Sequence, residues 1–122
     1  MAATLPLANA VRARADRHNR ALNIAQKQLE SIKALKYASI TPAGLHQAGL
    51  VESPVPDGQG RLSFTRVDSA QFDAPSQVLP DGRGYVVLTS LRLDLVQITV
   101  LVEWRERSGT RQVMLSTYVA NK

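Results

Sequence analysis

Val11, Ala15, His18, Leu22, Ala25, Leu29 and Ile32 follow one another in steps of three and four, which keeps their side chains on a single stripe of an α-helix. Arg12, Asp16, Arg20 and Lys27 fall on the opposite half. The run "RADRHNRALNIAQKQLESIKALKY", Arg14 to Tyr37, contains neither glycine nor proline. Pro6 suits a first helical turn, and Thr41 stands before Pro42, a placement that disfavours helical geometry. The pattern therefore predicts one helix from Pro6 to Ala38, roughly 50 Å long at 1.5 Å per residue. Such a rod is longer than a domain of this size is wide, so its first turns are expected to project. "TPAGLHQAG" then reads as a short second helix, with Thr41 as N-cap, Pro42 at the first position and Gly49 just past the end.

Beyond Gly49 the period changes from helix to strand. "VPDGQGR" and "LPDGRGY" repeat one turn-forming word 24 residues apart, and each leads into a strand-like run, "RLSFTRV" and "YVVLTSL". The segment between them, "DSAQFDAPSQ", reads as a loose connection. In "DLVQITVLVEW" the residues Val96, Ile98, Val100, Val102 and Trp104 share one face, and Leu95, Gln97, Thr99, Leu101 and Glu103 share the other. "RERSGT" turns the chain, and Val113, Leu115, Thr117 and Val119 alternate on the way back. The two runs predict an antiparallel hairpin. An apolar sheet face needs cover and an amphipathic helix supplies it. The expected fold is α+β: one long N-terminal helix, residues 1–40, packed as a single unit on residues 41–122, which form a short helix or loop and an antiparallel sheet of about four strands. The expected contact sets Leu22, Ala25, Leu29 and Ile32 against Ile98, Val100 and Val102.

Composition narrows the choice of function. With 122 residues and 44% apolar side chains, the chain suits one ordinary domain. It has no cysteine, so disulfides, thiolate metal sites and cysteine nucleophiles are excluded. No apolar run reaches the roughly 18–20 residues that span a bilayer, and the first residues do not read as a signal peptide. The net charge of +5 is unevenly placed. Residues 1–40 carry seven basic side chains against Asp16 and Glu30, whereas residues 41–122 carry eight of each sign. The excess positive charge thus belongs to the helix, which points to an anionic neighbour, lipid head groups or nucleic acid, or else to a plain solvated face. Arg12, Arg14, Arg17 and Arg20 are the candidates for contact with DNA, lipid or a neighbouring subunit.

Candidate chemistry is sparse. His18 and His46 belong to different elements and have no carboxylate beside them at ligand spacing, and His18 fits a packed or edge position on the stripe. The glycines of the two turn words precede no helix, so they do not form a phosphate cradle. Glu103 and Glu106 flank the hairpin and are expected to be solvated, with no acid pair poised to titrate abnormally. No catalytic, cofactor or metal site is expected. Six aromatic residues, none clustered near the arginines, give no base-stacking platform, so any nucleic-acid contact would be with phosphates, indifferent to sequence and sensitive to salt.

Two stretches carry a resemblance. Ala21, Asn23, Ala25, Gln26, Gln28, Leu29, Glu30, Ile32, Leu35 and Tyr37 form the pattern "A.N.AQ.QLE.IKAL.Y", and Ile98 to Thr117 form a terminal hairpin of the sense "VTVxVxW…G…VxLxT". Together they cover about half the chain and resemble the globular part of type IV minor pilins and pseudopilins. The resemblance implies a non-enzymatic filament subunit whose helix continues into an apolar, membrane-embedded half ahead of Ala2, with Met1 as an added start. It implies other pilin or pseudopilin subunits as partners through that helix, and the inner membrane as the anchor before assembly. The globular part would lie on the periplasmic side and later in the pilus or pseudopilus. Adhesion, DNA uptake, priming of pilus assembly and secretion are the roles such subunits serve. The positive helix tilts the expectation towards DNA uptake, ahead of assembly priming, with a type II secretion pseudopilin as the alternative and a free cytosolic nucleic-acid-binding module as the remoter one. The cleavage signature and the C-terminal cysteine pair of many pilins are absent, and residues 41–92 match no pattern of the family.

Overall fold

The computed structural model describes residues 5–69 and 71–121, with side chains described from Arg14 onward. Helix α1, Leu5–Lys33, opens the chain, followed by a 3-10 turn at Tyr37–Ser39 and α2 at Pro42–Gln47. Then come β1 at Leu62–Ser63, α3 at Pro75–Val78, and the long strands β2 (Arg83–Arg92), β3 (Leu95–Glu106) and β4 (Gly109–Ala120). The four strands form one antiparallel meander in the order β1-β2-β3-β4. Helix α1 lies against β3 and β4.

Strand β3 follows its predicted alternation. Val96, Ile98, Val100, Val102 and Trp104 are buried towards the helix, and the odd-numbered residues between them are half-buried on the outer face. The hairpin to β4 closes at Glu106 and Gly109 through Arg107 and Ser108, and its register runs unbroken to the Leu95–Ala120 pair.

On α1 the buried stripe is rotated from the expected one. Its centre is Ala21, Ile24, Ala25, Gln28 and Ile32, with Leu22 and Leu29 half-buried at its edge. The reason is Gln28. Its side chain is fully buried, and its Nε2 donates 2.7 Å to the carbonyl of Leu50. That bond satisfies a polar group which would otherwise oppose burial and ties the segment after α2 to the helix. Its Oε1 has no partner among the described residues. Upstream, Ala15 and His18 are exposed, so apolar burial on the described part of α1 begins at Ala21.

The helix also stops earlier than Ala38. The Leu35 amide donates to the carbonyl three residues back, at Ile32, and Lys36 is extended with ψ 145°. This break lets the chain turn and bury Ile40 and Leu45, which a straight helix would carry away from the sheet. Helix α2 follows its predicted caps: Thr41 Oγ1 accepts from the Gly44 amide at 3.0 Å, Pro42 stands at the start, and Gly49 takes φ +75° just past the end.

The "RLSFTRV" strand shrinks to two residues. The Phe64 amide still donates to the Gly84 carbonyl at 2.8 Å, and beside that last ladder bond hydroxyls take over: Thr65 Oγ1 accepts the Gly84 amide at 3.1 Å, and Ser63 Oγ bonds Thr65 Oγ1 at 3.2 Å. Phe64 turns fully into the core and meets Phe72 edge to face at 5.9 Å. The predicted loose connection is therefore packed, with Phe72, Ala74 and Pro75 buried and Asp68 Oδ1 accepting the Ala74 amide at 3.0 Å.

In the second turn word, Asp81 takes the left-handed conformation, φ 47°, while Gly82 lies directly under α3. A Cβ built on Gly82 would collide with the Pro75 carbonyl oxygen, a backbone atom that has no rotamer by which to retreat. Gly82→Ala should cost about 1–3 kcal/mol as an overpacking substitution, read as a lowered urea midpoint with an unchanged slope. An unaltered midpoint would show that α3 can shift freely.

Candidate interaction surface around the basic helix

Three of the four candidate arginines have described side chains; that of Arg12 lies outside the described residues. Steps of three residues along α1 bring Arg14, Arg17 and Arg20 round neighbouring parts of its surface, and the β3–β4 hairpin meets the first two. Arg17 Nε donates to Glu106 Oε1 at 3.0 Å, and Arg14 Nε stands 4.0 Å from Oε2 of the same carboxylate. Arg111, from β4, approaches that oxygen to 3.7 Å. Trp104 Nε1 completes the set, donating to Glu106 Oε1 at 3.2 Å.

Glu106 is therefore not the solvated hairpin residue expected. Its side chain is only 5% exposed, and its pKa is held below the ordinary value, first by the Trp104 indole and then by the Arg17 hydrogen bond and the charges of Arg17 and Arg111. Burial works in the opposite sense. Sequence reading missed Glu106 because its partners are 89 residues away on the helix, or two residues away with a side chain that turns back. Alternation along β3 signals Trp104 but not what its indole bonds.

Around this knot lies a shallow hollow of about 210 Å³ lined by Arg14, His18, Trp104, Glu106 and Arg111. His18 is exposed and presents its ring edge-on to Trp104 with centroids 6.3 Å apart. Arg14 remains 57% exposed despite its pairing. Arg20 is exposed and makes no ion pair among the described residues; it borders a second hollow with Asn23, Ile24, Phe72, Asp73 and Val78. The sequence-derived set thus divides: Arg14 and Arg17 meet at one carboxylate, and Arg20 stands apart. Arg111 of the hairpin joins the basic cluster.

The second carboxylate with a perturbed pKa, Asp57, closes the first turn word. Its Oδ1 accepts the amides of Arg61 and Gln59 at 2.9 and 2.8 Å, and Arg61 Nε reaches Oδ2 at 3.1 Å. The Arg61 amide is the foremost cause of its lowered pKa. The Arg61 guanidinium also lies 4.0 Å over the Tyr85 ring, so this acid orders a turn.

The packing set is brought together in part. Ala25, Ile32, Ile98, Val100 and Val102 are buried in one core, which Leu29 flanks; Leu22 is half-buried at the edge of the stripe. Among the described residues no three His, Cys, Asp or Glu side chains converge as metal ligands, and no helix is long and apolar enough to cross a membrane. Compared with known proteins, the chain matches no family model, and no curated sequence or solved structure is significantly similar to it.

Proposed function

We propose that this chain is the globular part of a pilin-like filament subunit, a minor pilin or pseudopilin of the type IV pilus class, which acts by packing. The observation that carries the reading is the mismatch between helix and core. Apolar burial along the described part of α1 begins at Ala21, yet the helical backbone extends back to Leu5. The stretch from Leu5 to Arg20 adds on the order of 24 Å at 1.5 Å per residue. Within Arg14–Arg20 the helix is held by ion pairs and a ring edge. A helix whose first described turns bury no apolar side chain of their own is suited to packing against the helices of other subunits, while the sheet and loops form the outside of the filament. In this reading an apolar segment precedes Ala2 in the gene and anchors the subunit in the inner membrane, with the globular part on the periplasmic side before assembly.

The test is to tag the chromosomal gene product, fractionate cells and shear surface filaments. The reading expects the protein in the inner membrane and in the sheared fraction. A product confined to the cytosol, with no run of about 20 apolar residues encoded ahead of Ala2, would sink it.

Contact with DNA is a second reading, favoured by the exposure of Arg14 and Arg20. Binding should be weak, indifferent to sequence and steeply weakened by salt. The fold separates the arginines for this purpose. Replacing Arg17 strips a partner from buried Glu106, so substitution of all four candidates is not structurally neutral. Arg14→Gln with Arg20→Gln should instead leave melting nearly unchanged and reduce the salt slope by about one unit for each phosphate no longer neutralised. Anisotropy titrations on a labelled duplex at low salt read this directly. Equal binding by wild type and double variant, or no binding by either, assigns these arginines to assembly or to anionic lipid.

A further inference from the structure

We propose that the chain pairs with a second copy of itself through the free edge of β4, joining two four-stranded sheets into one of eight across a two-fold axis at Ser116. The pairing depends on the edge alone and is independent of the filament reading.

Strand β4 ends the sheet order, and α1 packs on one of its faces. Which of its backbone groups are free follows from parity. The Asn121 amide donates to Asp94 at 2.8 Å, and the hairpin closes at the Glu106–Gly109 pair. Odd-numbered residues of β4 therefore exchange hydrogen bonds with β3, and alternation turns the amides and carbonyls of Gln112, Met114, Ser116, Tyr118 and Ala120 outward. No backbone bond from elsewhere reaches them among the described residues.

Exposed edges are ordinarily guarded by lysine, proline, a bulge or shortness. This one is twelve residues long with no bulge in its pairing to β3. From Gln112 to Asn121 it contains no charge and no proline, and it exposes Met114 and Tyr118 at 61% and 60%.

The sequence also complements itself. Laid antiparallel on its copy about Ser116, the strand sets Val113 against Val119, Met114 against Tyr118 and Leu115 against Thr117. Like surfaces meet: β-branched and aliphatic pairs on the helix side, thioether on aromatic ring on the outer side. Arg111 falls opposite Asn121, so no like charges are opposed. The same register matches outward-facing even residues to outward-facing even residues, as a hydrogen-bonded ladder requires. A closed two-fold interface of this kind is isologous and stops at two copies.

The absence of cysteine makes the register directly testable. Ser116→Cys places two thiols across the axis with Cα atoms about 5.5 Å apart, inside the range a disulfide bridges. Mild oxidation should convert this variant to a covalent dimer, whereas Gln112→Cys, which faces Ala120 of the copy, should stay largely uncrosslinked. Sedimentation velocity of the wild type should show a monomer–dimer equilibrium. Ser116→Pro removes an outward amide but none that β3 uses, so it should weaken association at least about tenfold with an unchanged circular dichroism spectrum. If that variant unfolds, Met114→Lys with Tyr118→Lys, both exposed, serves in its place. A wild type monomeric at all attainable concentrations would overturn the proposal, as would equal crosslinking at positions 112 and 116. Dimers that survive both edge variants would place the contact elsewhere and overturn it as well.

Discussion

Trp104→Ala should destabilise the fold by about 3–5 kcal/mol, the cost of deleting a large buried aromatic side chain, and should also change how stability depends on pH. The indole is 3% exposed and donates to Glu106 Oε1 at 3.2 Å. Because the folded-state pKa of Glu106 is lowered, its contribution is present above the unfolded-state value and is lost as pH falls through the folded one. Acidification below about pH 4.5, the ordinary glutamate value, should thus weaken the wild type progressively. Trp104→Phe keeps most of the apolar contact but removes the donor, and Glu106→Gln removes the titrating group. Both should flatten the acid limb of a plot of unfolding free energy against pH. A Glu106→Gln variant with an acid limb as steep as wild type would show that other carboxylates dominate the loss.

Ile32→Ala should cost about 2–5 kcal/mol, since a fully buried branched side chain leaves a cavity that helix and sheet cannot both close. The half-buried positions behave differently. Sequence periodicity set Leu29 at the centre of the stripe, where truncation would cost about 2–4 kcal/mol, but water reaches part of that side chain. Leu29→Ala and Leu22→Ala should each cost about 1–2 kcal/mol, in proportion to the apolar area they still bury. Urea unfolding of the three variants checks the order. Losses at Leu22 and Leu29 as large as at Ile32 would return the stripe to its sequence-derived position.

The displacement of the buried stripe from Leu22 and Leu29 towards Ile24 and Gln28 shows what a one-dimensional pattern can carry. Periodicity counts Gln28 as polar and steers the stripe away from it. In the fold its amide meets the Leu50 carbonyl, 22 residues on, and once that bond exists the residue belongs inside. The same limit explains Glu106: alternation along β3 is local, whereas the guanidinium that buries it comes from α1.

By itself the sequence determined what depends on neighbours a few residues away. The period of the first segment dictated a helix, strict alternation from Val96 to Trp104 dictated a strand with one apolar face, and Thr41, Pro42 and Gly49 set the limits of α2. These hold because backbone sterics, caps and side-chain period act over single turns. The tertiary structure alone decided which edge of the helix is buried, where "RLSFTRV" leaves its ladder after a packed Phe64, and which of the three described arginines are bound to a carboxylate. Each of those outcomes turns on a partner far along the chain, and burial makes a polar group acceptable only when that partner is in place.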